Sequence, residues 1–284
     1  MVGTTQPLNN DDSIHAMNTR EIMQLSLDLM GFSEIPHDSQ IYHEGENIRK
    51  VLFAIDVGTA ELLLARQLGC DCVIAHHPVG QKAVLEYHHI LKKHIDQMME
   101  AGIPKKEAEE AAQELVEQAE VAGHARNYDQ VIEAARILGM PIMNIHNPLD
   151  VLGRRVMQDT IKKKTNESST VGDVIDALYT LDEFARAETR IELRLGKMTN
   201  PAGRIVVAHG AGTNGGYRIA KTYFKYIDTL IYIHISPQDL QRLKQEEHGT
   251  LVITGHIASD MVGINPFLEE LERQGIEILK LTEL

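Results

Sequence analysis

Two adjacent histidines, His76 and His77, close the apolar run CDCVIAH and stand directly before Pro78. Asp150 follows His146, the end of PIMNIH, by four residues, and Asp260 follows His256, the end of LVITGH, at the same spacing. Imidazole nitrogens mixed with carboxylate oxygens suit Zn, Fe, Mn or Ni and disfavour the all-oxygen shells of Mg or Ca. Successive residues of an extended chain point to opposite sides, and the proline holds His77 near the extended region. The pair therefore cannot easily ligate one ion side by side. Each could instead hold one of two ions roughly 3.5–4 Å apart, the arrangement of binuclear hydrolytic centres. His256 and Asp260 share a face if a helix starts at once, and the carboxylate then lies favourably near its N-terminus. A bridging Asp260 would offset the repulsion between two cations.

Each feature also has a plainer reading, as a backbone-bonded histidine or a surface ion pair. Their concurrence at three strand ends, on the edge where open α/β sheets bind ligands, favours metal. The expected ligands are His76, His77, Asp150, His256 and Asp260. His146 could be a donor that orients a ligand or a satisfied core residue. Asp56, at the end of KVLFAID, could support the site or cap the helix that begins at Thr59. His88, His89 and His94 lie in a polar stretch and are expected to be solvated. The run AHGAGTNGG follows a strand and precedes a helix, so the backbone N–H groups around Gly210, Gly212 and Gly215 could cradle a phosphate. It lacks both the GxGxxG spacing and the Walker lysine, which favours a tight turn with positive φ. No G-x-S-x-G elbow points to serine hydrolysis.

Strands and helices must bring these residues together. KVLFAID (50–56), a helix over 59–69 and CDCVIAH (70–76) form one βαβ unit, which implies a parallel α/β sheet. PIMNIH (141–146) is a further strand, followed by a helix over about 150–164 and a short one over 171–181. Residues 189–196 alternate as a half-buried strand. The second half then repeats strand and helix through RIVVAHG, TLIYIH, LVITGH and IEILKL at the spacing of a doubly wound fold. The expected fold is α/β, with two similar halves facing each other across the site. Residues 81–139, rich in Ala, Glu, Lys and Gln, read as an inserted group of amphipathic helices, with one over about 105–122 and another near 129–138. Being able to bury only a narrow stripe, the insertion is expected to be accessory to the core. Residues 1–18 are polar and aperiodic and read as a mobile tail before a single domain over 19–284.

Composition excludes several function classes. Among 284 residues, 41 Asp and Glu against 28 Lys and Arg give a net charge of -13, and there is no Trp, 8 Tyr and 5 Phe. Nucleic-acid binding is therefore not expected, for want of a basic face and of rings for base stacking. No apolar stretch approaches the roughly 20 residues of a membrane-spanning helix. The N-terminus lacks the pattern of a secretion signal. Cys70 and Cys72 cannot build a disulfide framework, and on a strand their spacing would put both on one face, which reads as two buried thiols in a reducing cytoplasm.

The order IDVGTAELLLARQLGCDCVIAHHP, NIHNPLD, AHGAG and TGHIASD resembles the NIF-three-like dinuclear-metal proteins, also called GTP cyclohydrolase 1 type 2 homologues. The resemblance covers about residues 19–284. It implies two metal ions held by His76, His77, Asp150, His256 and Asp260, and a toroidal homo-hexamer with the sites facing an inner cavity. Two features depart from the family pattern: Asp260 stands where Glu is usual, one C–C bond of about 1.5 Å shorter, and the helical insertion is longer than in compact members. The chemistry expected is hydrolysis of a small nucleotide-like or phosphate-bearing substrate by metal-activated water. The alternative is a non-catalytic metal-binding or regulatory hexameric scaffold. The family name points to a GTP-like substrate, whereas no purine-reading motif stands in the chain.

Overall fold

The computed structural model describes residues 16–246 and 249–284. Asn18 starts α1 (Thr19–Asp28) by accepting hydrogen bonds from the N–H groups of Arg20 and Glu21, while the Glu21 carboxylate accepts from the Asn18 N–H. This reciprocal cap satisfies donors that a helix start leaves free. Met17 exchanges backbone hydrogen bonds with Ile48, so the last residues of the expected tail belong to the fold. Residues 1–15 of that tail lie outside the described residues.

The first sheet contains β1 (Gln40–His43), β2 (Lys50–Ala54), β3 (Cys72–Ala75), β4 (Ile142–Asn144) and β9 (Glu277–Lys280) in the order β1-β4-β3-β2-β9. All neighbours are parallel except β1 and β4. β2 and β3, joined by α2 (Thr59–Gln67), are the expected βαβ unit. The second sheet contains β5 (Glu192–Leu195), β6 (Ile205–Val207), β7 (Thr229–Tyr232) and β8 (Thr250–Ile253) in the order β5-β8-β7-β6, again with an antiparallel first strand. One expectation is corrected here. The closing strand IEILKL, assigned by position to the second half, crosses back to pair with β2 of the first sheet.

Between the sheets lie α7 (Asn147–Lys164) and α12 (His256–Arg273). Leu149, Met261, Ile264 and Phe267 pack on Val51, Phe53 and Ile74 of the first sheet. Met157, Ile161, Ala258 and Val262 pack on Val207, Ile231 and Val252 of the second. Burying apolar side chains on both faces makes these two helices the central layer. α8 (Val171–Leu178) and α9 (Asp182–Arg186) close the second of these clusters through Val174, Leu178 and Phe184.

The insertion comprises α3 (Gln81–Leu85), a 3-10 turn over Tyr87–Lys92, α4 (Lys93–Glu100), α5 (Lys105–Gly123) and α6 (Gln130–Leu138). It is not accessory. Met98, Ile103, Ala108, Ala111 and Ala112 pack with Val206, Leu230, Tyr232 and Leu251, together with Ile219 and Tyr223 of α10 (Gly216–Tyr223), and cover the outer face of the second sheet. The alanines make this possible, because small side chains let α5 approach α4, the 3-10 turn and α10 closely, so a narrow apolar stripe is enough to complete the cover. α6 and α2 cover the outer face of the first sheet. α11 (Pro237–Gln245) adds Leu243 to the cluster beneath α5.

Two further expectations change with this packing. His94 is fully buried, and its Nε2 donates to the Thr213 carbonyl at 3.0 Å, because the polar face of α4 turns toward the second half and away from water. His88 and His89 are half-buried, with ring centroids 4.1 Å apart. Both cysteines are free and buried, but on opposite sides of the sheet: Cys72 packs with Val51 and Ile74, and Cys70 with Leu62 and Ala65. Strand alternation does not govern Cys70, which precedes β3.

Candidate metal centre

Backbone geometry explains how distant residues meet. The N–H groups of His76 and His77 donate to Ala54 and Ile55, which keeps the pair extended past the end of β3. Pro148 lies in the first turn of α7, where its missing N–H costs nothing, and that turn carries Asp150. α12 begins at His256 immediately after Gly255, whose φ of 100° admits few other residues. His256 and Asp260 then stand one turn apart, with Nε2 3.2 Å from Oδ2. The two helices cross at glycines. A Cβ on Gly263 would stand 2.0 Å from the Leu149 carbonyl oxygen and 2.7 Å from the Gly153 nitrogen. Only this close approach brings the first turns of α7 and α12, and with them Asp150 and Asp260, to the same place.

Hydrogen bonds set the imidazole tautomers. His76 Nδ1 donates to the Ile145 carbonyl at 3.0 Å, His77 Nδ1 to Asp56 at 2.8 Å, and His146 Nδ1 to the buried Asp38 at 2.7 Å. With Nδ1 carrying the proton, each ring presents a bare Nε2 to the site. Three such nitrogens meet two carboxylates. Asp150 Oδ1 lies 3.2 Å from His76 Nε2, and Asp150 Oδ2 lies 3.6 Å from His146 Nε2. Asp260 Oδ2 lies 3.6 Å from His77 Nε2 and 3.8 Å from His76 Nε2. His76 Nε2, Asp150 Oδ1 and Asp260 Oδ2 are buried and make no hydrogen bond. Such a proton-poor cluster of buried lone pairs is costly unless a cation sits in it. Three groups could each hold a metal ion, with ligand atoms within 4.8 Å: His76, His77 and His146; His77, His256 and Asp260; and His76, Asp150 and Asp260. Asp260 belongs to two of them.

Protonation reflects the same crowding. Burial alone would lower the pKa of His146, but Asp150 and Asp38 overcome it and raise it to about 9. Burial would lower His77 as well, but the nearby Asp260 carboxylate and the hydrogen bond to Asp56 outweigh it and raise its pKa. Burial would raise Asp150 and Asp260, yet the surrounding imidazoles hold both below the usual carboxylate range. His256 is lowered, by burial first. Without a cation, these carboxylates draw protons onto the rings.

The structure brings His76, His77, Asp150, His256 and Asp260 together, places His146 among them, and sets Asp56 on the Nδ1 of His77. Three participants were not anticipated. His209 is 3% exposed, with an unpartnered Nε2 3.9 Å from Asp150 Oδ1. His234 lies with its ring centroid 4.8 Å from that of His256. Both end strands of the second half, RIVVAH and TLIYIH, so the strand-end rule that selected His76 would have found them. Asp38, in the loop before β1, carries no periodic signal. Of the expected phosphate-loop glycines, Gly210 and Gly212 take positive φ, and a Cβ on Gly215 would meet Tyr232 and Ile219 at 2.6 Å. The loop is held by side chains: Asn147 donates to the Gly210 carbonyl, Gln97 to that of His209, and Tyr87 to that of Gly212.

A cavity of about 550 Å³ opens over the cluster. His77, His146, Asp150, His209, His234, His256 and Asp260 form one side of it, and Val84, Leu91, Leu115 and Ala119 of the insertion another. Among the described residues that line it, Arg126 alone carries a fixed positive charge.

The fold and site define a two-sheet α/β protein with buried histidine and aspartate groups that could hold metal ions. The family described as Duf34/NIF3 (NGG1p interacting factor 3) matches residues 39–105. A NIF3 superfamily protein from Sphaerobacter thermophilus, known from its crystal structure, is 44% identical, with 95% of this chain and 99% of that one covered and a TM-score of 0.93. The chain belongs to the NIF3 superfamily. Reduced HcgD from Methanocaldococcus jannaschii shares the fold at 13% identity and a TM-score of 0.60, over 94% of this chain and 99% of that one. A Bacillus cereus protein related to NIF3 does so at 12% and 0.52, over 95% and 98%. No curated protein matches the chain. No helix among the described residues is long and apolar enough to cross a membrane.

Proposed function

We propose that the chain holds two divalent transition-metal ions, Zn, Fe, Mn or Ni, and hydrolyses a small nucleotide-like or phosphate-bearing substrate. The observation that carries this reading is the convergence of three Nε2 lone pairs, each fixed by a donor bond on the far side of its ring, on two buried carboxylates. His76, Asp150 and Asp260 would hold one ion, with His146 beside them, and His77, His256 and Asp260 the other. When bound, two such ions lower the pKa of a water and clamp the attacked group. The chain's own residues do the rest. Asp56, Asp38 and the Ile145 carbonyl orient the rings, the insertion excludes water from one side of the cavity, and Arg126 gives an anionic group a fixed charge to pair with.

Metal analysis of the purified protein, followed by a hydrolase screen before and after chelation, tests the proposal. Turnover that disappears on chelation and returns with one metal is expected. A protein that retains metal yet turns over nothing in the screen would instead support a metal-binding scaffold. A homo-hexamer, the assembly that the resemblance implies, is the state expected in analytical ultracentrifugation.

A further inference from the structure

His234 differs from the other histidines of the cavity in the direction of its proton. The Gly216 N–H donates to Asn214 Oδ1 at 2.9 Å, which fixes the orientation of the Asn214 amide, and Asn214 Nδ2 then faces His234 Nδ1 at 2.8 Å. An amide nitrogen can only donate, so His234 Nδ1 accepts, and in the neutral ring the proton sits on Nε2. Gly216 makes this possible with a φ of 64°. His76, His77 and His146 have the opposite tautomer, set by acceptors at Nδ1. Nε2 of His234 has no hydrogen-bond partner among the described residues, and the ring lines the cavity between Thr213 and His256.

We propose that Asn214 locks His234 as a neutral N–H donor directed at an oxyanion of the substrate, so that His234 recognises substrate and does not ligate metal. This rests on the reading of the cavity as a substrate site. A nitrogen that carries a proton has no lone pair for a cation, whereas a phosphate or carboxylate oxygen next to the metal groups needs donors that bring no further lone pairs. The glycine-rich loop after β6 thus acts on the site through the Asn214 side chain, and Asn214 is a positioning residue.

The lock is read by nitrogen-15 NMR of the imidazoles, in the metal-free and the zinc-loaded protein. His234 is expected to show a bare Nδ1 and a protonated Nε2 in both. Asn214→Asp, whose carboxylate can only accept, should move the proton to Nδ1. Calorimetric titration of the zinc-loaded protein with inorganic phosphate reads the recognition. His234→Phe and Asn214→Ala should weaken phosphate binding about tenfold or more, the range for a hydrogen bond to a charged group, at unchanged zinc content and melting temperature. His234→Gln, which keeps a donor, should retain much of the affinity. A bare Nε2 in the wild type, a zinc-shifted His234 signal, no phosphate binding by the wild-type protein, or equal phosphate affinity in all forms would overturn the proposal. Failure of the protein to bind zinc would instead overturn the metal centre, and the tautomer of the metal-free protein would still report on the lock.

Discussion

His76 Nε2 and Asp150 Oδ1 face each other 3.2 Å apart, both buried, with no hydrogen bond between them. The far side of the His76 ring is tied to the Ile145 carbonyl, so its proton is held away from the carboxylate. Two acceptors held at this distance repel unless a cation lies between them. Asp260 Oδ2, without a hydrogen bond and near three histidines, is in the same position.

Asp260→Asn is therefore expected to lose at least one of two ions per chain, and His77→Ala to lose one and weaken the other. Elemental analysis after dialysis against limiting metal measures this. Wild-type metal content in both variants would remove these residues from the ligand set.

Gly263→Ala tests the helix crossing. The added methyl would overlap the Leu149 carbonyl, so α7 and α12 must separate. A loss of at least about 2 kcal/mol is expected from overpacking, together with reduced metal content, because Asp150 and Asp260 move apart with their helices. Thermal melts and elemental analysis on the same sample read both effects, and an unchanged melting temperature would show that the crossing can relax.

Acid should destabilise the chelated protein partly through His94. Burial, with a smaller contribution from Arg154, lowers its pKa from 6.5 to about 4 against the upward pull of the Thr213 hydrogen bond. The unfolded chain takes up the proton first, so stability falls as pH drops below about 6.5 and levels off below about 4. At pH 5 the His94 share of that loss is about 2 kcal/mol. His94→Gln, whose amide can donate to the same carbonyl, lacks this proton uptake. Urea unfolding at pH 7.5 and 5 should show the variant gaining on wild type by that amount, and parallel pH curves would assign the loss to other groups.

Replacing residues 84–127 by a short Gly/Ser linker should yield aggregated protein. It would strip Met98, Ala108 and Ala112 from the second sheet and expose Val206, Leu230 and Leu251. A soluble product with native circular dichroism would restore the view that these helices are accessory.

By itself the sequence determined the local elements and the strand-end chemistry. Apolar runs of four to six residues closed by histidine, and helices such as those over 59–69 and 105–122, are decided by contacts between near neighbours and are legible one segment at a time. The i,i+4 pairing of His256 with Asp260 was legible for the same reason. Tertiary structure decided what depends on long-range approach. It set β9 into the first sheet and turned the insertion onto the second. It buried His94, and it brought Asp38 to His146 across 108 positions of sequence. The meeting of Asp150 with Asp260 rests on two glycines in different helices, Gly153 and Gly263, each of which looks like a mere helix weakener in its own segment. Side-chain volume at a crossing acquires meaning only when the other helix is present.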